Sequence, residues 1–141
     1  MKSFLILPAF ILLLSSCIAT KKEPPVYMFG TFQDDYNIEF DLSTELFFQK
    51  PSSRYHIVKW NVNEQYFIAQ NDTANAYDIN LFTRVDWIPF EGMEPFTWGF
   101  CISAYKEPTI ESAEAVKVVD RATPKTGCNG YPFSRMKPIS D

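Results

Sequence analysis

The sequence contains few of the residues that carry enzyme chemistry. Its 141 residues include one histidine, His56, and three cysteines, Cys17, Cys101 and Cys128. A single histidine is too few for the common zinc sites, which combine several histidine and cysteine ligands. The nucleophile motif Gly-x-Ser-x-Gly does not occur either. We therefore expect a protein that is not an enzyme, with no catalytic residues, no metal site and no cofactor.

Carboxylates cluster at two places, Asp34-Asp35 and Glu91 with Glu94. Paired carboxylates can bind a divalent cation, but neither cluster has the spacing of a calcium-binding loop. Adjacent residues of a strand also point to opposite faces, so Asp34 and Asp35 would converge only in a turn. We interpret both clusters as turn residues.

Positive charge is scarce as well. The chain has 13 lysines and arginines against 17 acidic residues, a formal net charge of −4. Binding to nucleic acid depends on clustered lysine and arginine, so we expect no nucleic-acid partner. The one basic cluster, Lys21-Lys22, is expected to be solvated or to contact lipid headgroups.

Long apolar runs are limited to the N-terminus. Residues 4–14 are apolar, but about 20 residues are needed to span a bilayer. Lys2 precedes the run and the small residues Ser15 and Ser16 follow it. This order is typical of a secretory signal peptide covering residues 1–16. A plain signal peptide would leave Cys17 as a spare thiol.

The segment Leu14-Ser15-Ser16-Cys17 resembles the lipobox of bacterial lipoproteins. The resemblance implies that Cys17 receives a diacylglycerol, that the chain is cut before it, and that further acylation, such as with palmitate, anchors it to the lipid bilayer. It places the protein in the bacterial cell envelope. The residues after Cys17 lack an acidic retention signal, which favours the outer membrane by the same resemblance.

Two segments follow the predicted signal peptide. Residues 17–25 contain Lys21, Lys22 and the pair Pro24-Pro25, and they form a lipidated N-terminus and tether. Residues 26–141 form one domain, since the length allows only one. Aromatic residues, which favour strands, make up 16% of the chain.

The domain shows the alternation of β-strands. In residues 37–42, Ile38, Phe40 and Leu42 face one way while polar residues face the other. Similar runs cover residues 45–49, 54–60, 65–70, 81–90 and 96–105. Short connections make neighbouring strands antiparallel, so we predict an all-β up-and-down meander of about seven or eight strands that forms a barrel or a strongly curved sheet.

Two regions of the domain are less regular. Residues 112–119 allow either a helix or a strand, and the valines favour a strand. The tail from about residue 120 is rich in proline, glycine and basic residues and is predicted to be irregular.

The cysteines Cys101 and Cys128 remain as a pair once Cys17 is acylated. In the oxidising envelope a disulfide between them is the natural assignment, and two free buried thiols are the alternative. Alternation places Cys101 on the strand face opposite Trp98, beside Gly99 and Ser103. The disulfide would therefore hold the tail across this face, where the two small residues leave room.

The segment Gly30-Thr31-Phe32 opens the meander. A glycine, any residue and an aromatic in the first strand resemble lipocalin-like proteins, although lipocalins prefer tryptophan where this chain has Phe32. The resemblance implies a cavity for an apolar ligand. Gly30 and Phe32 as ordinary strand residues are the alternative.

The aromatic residues are too many to share one face, so some of them are candidates for contact with a ligand or partner. Alternation groups His56 with Val58 and Trp60, and Arg84 with Asp86 as an outward pair. The candidate contacts are Phe32, His56, Trp60, Arg84, Trp87 and Trp98. Two functions fit: a non-catalytic binding module for a small apolar ligand or envelope protein, and a structural component of a membrane-associated assembly.

Overall fold

The computed structural model describes residues 21–140. The predicted signal peptide and the lipidation site Cys17 lie outside these residues. After a 3-10 turn at Val26–Met28, the chain forms eight strands and one helix. The elements are β1 (Gly30–Gln33), β2 (Glu39–Leu42), β3 (Leu46–Gln49), β4 (Ser53–Asn61), β5 (Tyr66–Asn71), β6 (Phe82–Pro89), β7 (Trp98–Glu107), α1 (Ile110–Glu114) and β8 (Ser134–Pro138).

The eight strands form a closed barrel in sequence order. Each strand is antiparallel to the next, and β8 closes the barrel by pairing with β1, with Phe32 opposite Pro138 and Gln33 opposite Lys137. Closure leaves no unpaired sheet edge. The predicted all-β meander is therefore confirmed, in its closed form.

The last strand lies in the tail that was predicted to be irregular. β8 is short and mostly polar, and only Met136 is fully buried among its residues. Its hydrogen-bond partners on both sides, β7 and β1, make it a strand despite this weak pattern. The prediction of an irregular tail is wrong for this segment.

The strand predicted at residues 112–119 is also wrong. Thr109 and Ser112 form a capping box, in which each side chain accepts a hydrogen bond from the other residue's backbone N–H. This arrangement satisfies free N–H groups at the start of a helix and fixes the first turn of α1. Val119 makes only an isolated bridge to Cys128. Within residues 21–140, no helix has the length and apolarity needed to cross a bilayer.

The barrel interior is filled by aromatic side chains. The ring of Phe47 stacks on Phe40 at a centroid distance of 5.3 Å and meets Phe67 and Phe100 edge-on at 5.7 and 5.5 Å. Edge-on and offset contacts of this kind are the favoured geometries of aromatic pairs. Met28, from the 3-10 turn, is fully buried in the same cluster.

The outside of β5, β6 and β7 is covered by the segment between β7 and β8. One cluster packs Ala113 of α1 against Tyr66 and Ile68, and another packs Phe133 against Ile88 and Cys101. These three strands are therefore buried on both faces over most of their length.

Candidate functional site

Three of the predicted contact residues belong to the barrel core. Phe32, Trp87 and Trp98 have 2%, 0% and 0% of their surface exposed. Phe32 and Trp98 meet edge-on at 5.4 Å. These side chains fill the barrel interior instead of presenting a surface to a ligand.

Trp60 also faces the interior, because of a β-bulge. The pairing register of β4 shifts between Ile57 and Lys59, so one extra residue reverses the alternation beyond this point. Trp60 packs among the interior aromatics and donates from Nε1 to the carbonyl of Thr44 at 2.8 Å. The predicted grouping of Trp60 with His56 on one face is wrong for this reason.

His56 lies exposed on the outside of the barrel. Its Nε2 is 2.5 Å from a carboxylate oxygen of Asp72, at the start of the loop between β5 and β6. The hydrogen bond from His56 lowers the pKa of Asp72. Asp72 also accepts from the backbone N–H of Ala74, so this contact fixes the loop.

Arg84 and Asp86 form the predicted outward pair, but the covering segment buries it. The guanidinium donates two hydrogen bonds to the carboxylate, at 2.9 and 3.0 Å, and the side chains of Arg84 and Asp86 are 6% and 1% exposed. Ser103 donates a further bond to Asp86 at 2.6 Å. The guanidinium carbon of Arg84 lies over the ring of Tyr66, 3.9 Å from the centroid of the ring.

Arg121 supplies a second guanidinium to the same carboxylate. It donates to Asp86 at 2.8 Å and to the carbonyls of Gln65 and Trp87. Arg84 donates to the carbonyl of Glu114 at the end of α1. Every one of these bonds joins the covering segment to the barrel, so the cluster holds the structure together.

One pocket lies over the barrel interior at the end formed by the loop between β5 and β6. Its volume is about 410 Å³. Asn71 of this pocket already donates to the carbonyls of Asp78 and Tyr105. Burial raises the pKa of Tyr55 in the wall. The lining residues are Ser53, Tyr55, Asn71, Asn75, Ala76, Tyr77, Asp78, Ile102 and Tyr105.

A larger and more apolar depression lies on the outside of the barrel; we call it the outer groove. Its volume is about 770 Å³. Three separate segments form it: the β1–β2 turn, the β6–β7 loop, and the stretch that leads into β8. The lining residues are Asp35, Tyr36, Phe90, Met93, Thr123, Pro124, Lys125, Thr126, Pro132, Phe133 and Arg135.

The wall formed by Phe90 depends on Gly99. A Cβ atom at Gly99 would lie 2.8 Å from the ring of Phe90 and 3.1 Å from the carbonyl oxygen of Ser134. Gly99 therefore makes room for Phe90, and Ser103 bonds Asp86. That these two small residues also make room for the disulfide stays a prediction.

The wall formed by the tail is held by the disulfide between Cys101 and Cys128, the predicted pairing. The two Cα atoms are 5.6 Å apart. The bond joins β7 to the tail, and Phe133 is buried against Cys101 and Ile88 below the groove. The outer groove thus rests on a cross-linked apolar floor.

The rim of the groove carries an ion pair between Asp35 and Arg135. Nε and Nη2 of Arg135 donate to the carboxylate at 3.0 and 2.7 Å, and this interaction lowers the pKa of Asp35. Asp34 points elsewhere and accepts from the backbone N–H groups of Tyr36 and Ile38. The two carboxylates do not converge, in agreement with their interpretation as turn residues.

The residues of the outer groove were not among the predicted contacts. One signal in the sequence pointed to the tail: the aromatic Phe133 stands near Cys128 among proline, glycine and basic residues. Among the described residues, no group of three histidine, cysteine or acidic side chains is placed to hold a metal ion. Comparison with protein family models, curated proteins and solved structures finds no match to this chain.

Proposed function

We propose that this chain is a lipid-anchored, non-catalytic binding module that holds a small apolar ligand in the outer groove. The observation that carries the proposal is the groove itself, about 770 Å³ with walls of Phe90, Met93 and Phe133. Ligand pockets are concave, mostly apolar and about 300–1,000 Å³ in volume.

Because the barrel interior is filled, the outer groove is a better candidate for the binding site than the barrel lumen. The aromatic side chains of the interior are packed against one another and are almost fully buried. A lumen ligand of similar volume would have to displace several of them. The groove, by contrast, is open to solvent and already formed.

The apolar photoprobe 3-trifluoromethyl-3-phenyldiazirine tests the proposal on the full chain in its native membranes. It is neutral, and irradiation converts it into a carbene that inserts where it is bound. Mass spectrometry of peptides should find adducts concentrated near Met93 and Phe133. Met93→Glu should lower this labelling about tenfold, because a partly exposed charge in an apolar wall costs about 1.4 kcal/mol of ligand affinity.

Val58→Glu is the matched control. Val58 is also an exposed apolar residue, but it lies on the outside of β4 and does not line the groove. This variant should keep the labelling of the groove. Adducts spread evenly over the exposed apolar residues, or equal labelling of both variants, would contradict the proposal.

The anchor is the second part of the proposal. Three residues lie between Cys17 and Lys21, so their Cα atoms are at most about 14 Å apart. Lys21 and Lys22 lie beside Thr44 and Trp60, so acylation of Cys17 would hold this end of the barrel close to the bilayer. The native chain should incorporate radioactive palmitate and Cys17→Ala should not; equal labelling of the two would disprove the anchor.

A structural role in a membrane-associated assembly is the second candidate. The filled interior favours it, as do Tyr36 and Tyr131, each 73% exposed. If a partner protein occupies the groove, the photoprobe should label the groove only after the chain is purified away from its membranes. Labelling in both states supports the small ligand.

A further inference from the structure

The charges of the outer groove differ in sign from those of the whole chain. Three charged side chains line the groove, Asp35, Lys125 and Arg135, and their sum is one positive charge. The chain as a whole carries −4. The groove is thus a locally positive site in a negative protein, and such a site attracts a negatively charged ligand.

Arg135 is held with part of its guanidinium free. Nε and Nη2 bond Asp35, and the group lies over the ring of Phe96, 4.1 Å from the centroid. Nη1 makes no hydrogen bond to any residue from 21 to 140. The ion pair and the stacking therefore fix the plane of the Arg135 guanidinium, and the N–H groups of Nη1 remain free to donate to a ligand.

Lys125 supplies a second cation. It is exposed, and it makes no ion pair within the described part of the chain. Its ammonium group is mobile on a long aliphatic stem, so it can reach a ligand from the rim. Glu91 and Glu94 flank Met93 in the loop, but neither lines the groove. Their proximity disfavours a ligand with several negative charges.

Apolar walls and cations at the rim together define a class of ligand. We propose that the outer groove binds a free single-chain amphiphile with one anionic head group, of the fatty-acid kind. The chain lies along Phe90, Met93 and Phe133, and the head group accepts hydrogen bonds from Arg135 and Lys125. This inference rests on the proposed function and names its ligand class.

Competition with the photoprobe tests the head group. Decanoate, its neutral analogue N-methyldecanamide and the cationic decyltrimethylammonium have similar alkyl chains and different charges. Decanoate should suppress labelling of the groove at a concentration about tenfold lower than the neutral amide, a difference of about 1.4 kcal/mol. The cationic amphiphile should be weaker than the amide.

Lys125→Gln should reduce the advantage of decanoate over the amide at least severalfold, with both competitors measured against the labelling of the same variant. Lys117→Gln is the control, since Lys117 is also an exposed lysine and lies outside the groove. Added salt should weaken decanoate more than the amide, because it screens exposed charges.

The outcomes separate this inference from the proposed function. If the probe labels the groove and the three amphiphiles compete equally, the head-group inference fails and the binding function remains. If the probe does not label the groove, the binding function fails. Competition by phosphatidylglycerol vesicles but not by decanoate would assign the site to the bilayer and overturn the inference of a free ligand.

Discussion

Asp86 helps to hold the covering segment on the barrel. It is fully buried and accepts hydrogen bonds from Arg84, Ser103 and Arg121. Two guanidinium groups thus share one carboxylate. A buried charge that loses its partner is much more costly than an exposed one, because water cannot replace the lost interaction.

Asp86→Asn should therefore destabilise the protein by about 3–5 kcal/mol, the cost of removing one partner of a buried ion pair. The free energy of unfolding in urea, followed by tryptophan fluorescence, measures this loss. Lys50→Gln is the control: its ion pairs with Glu39 and Asp41 are exposed, so the variant should cost less than about 1 kcal/mol. Equal effects of the two variants would contradict the role of Asp86.

Asp35 should make the stability of the protein depend on pH at the acid end. Arg135 lowers the pKa of Asp35 in the folded state below its ordinary value of 3.8. The ion pair therefore contributes fully at pH values above 3.8, and its contribution is lost as the pH falls through the folded-state pKa. The difference in unfolding free energy between the native chain and Asp35→Asn should shrink over this range.

A double-mutant comparison checks the cause of this pH dependence. In the Arg135→Gln background, Asp35→Asn should have nearly the same effect at neutral and at acid pH. Titration of the Asp35 carboxyl by NMR should also give a midpoint closer to 3.8 in Arg135→Gln than in the native chain. A midpoint that Arg135→Gln does not change would assign the shift to another group.

Single residues also show where reasoning from sequence stops. The pairing of Arg84 with Asp86 followed from strand alternation, but its burial did not, because the covering residues are about 30 positions away. The predicted orientation of Trp60 was wrong because alternation assumes a regular strand. Nothing in the residues around Val58 signals the bulge that reverses it.

At the scale of elements, the helix α1 is the clearest test of local sequence signals. Its five residues are too few to form a stable helix alone, so its cap and its packing must hold it. Thr109 at the cap and Ala113 against Tyr66 supply these two contributions. The valines that follow favoured a strand, but they lie beyond the helix and belong to no strand. Val119 makes an isolated bridge to Cys128 in the tail.

Thr109→Ala should cost about 1 kcal/mol of stability, because the capping hydrogen bond to the N–H of Ser112 is lost. Hydrogen exchange at the N–H of Ala113, which bonds the carbonyl of Thr109, should become faster. Thr73→Ala, in the exposed loop after β5, should change stability by less than about 0.5 kcal/mol. Unchanged exchange at Ala113 would mean that packing alone holds the helix.

Strand β8, in contrast to α1, carries no local sequence signal for its structure. Its sequence gives little sign of a strand, since Arg135 and Lys137 are polar and Pro138 cannot donate a hydrogen bond. The strand exists because β7 and β1 present unpaired edges on both sides of it. Local patterns therefore predicted the long strands correctly and failed for the one that depends on closure.

The whole molecule was predictable to the level of the barrel and no further. Short connections between alternating strands allow few arrangements other than a meander, so the topology followed from the sequence. The outer groove did not, because it joins residues near positions 35, 93 and 125. Only the closed barrel and its cross-linked tail bring these segments together.

The disulfide between Cys101 and Cys128 should control both stability and the groove. The two cysteines are 27 residues apart, and closing a loop of this length contributes about 3–4 kcal/mol on the chain-entropy model. A mild reductant, or the double variant Cys101→Ser with Cys128→Ser, should lower the urea midpoint accordingly. Loss of the disulfide should also reduce photolabelling of the groove, because the tail carries the lining residues Pro124, Lys125 and Phe133.

The double variant is the control for the reductant, which should change neither its stability nor its groove labelling. If reduction lowers the stability and leaves the groove labelling intact, the tail wall is held by its apolar packing and by β8, and the disulfide acts on the unfolded chain alone.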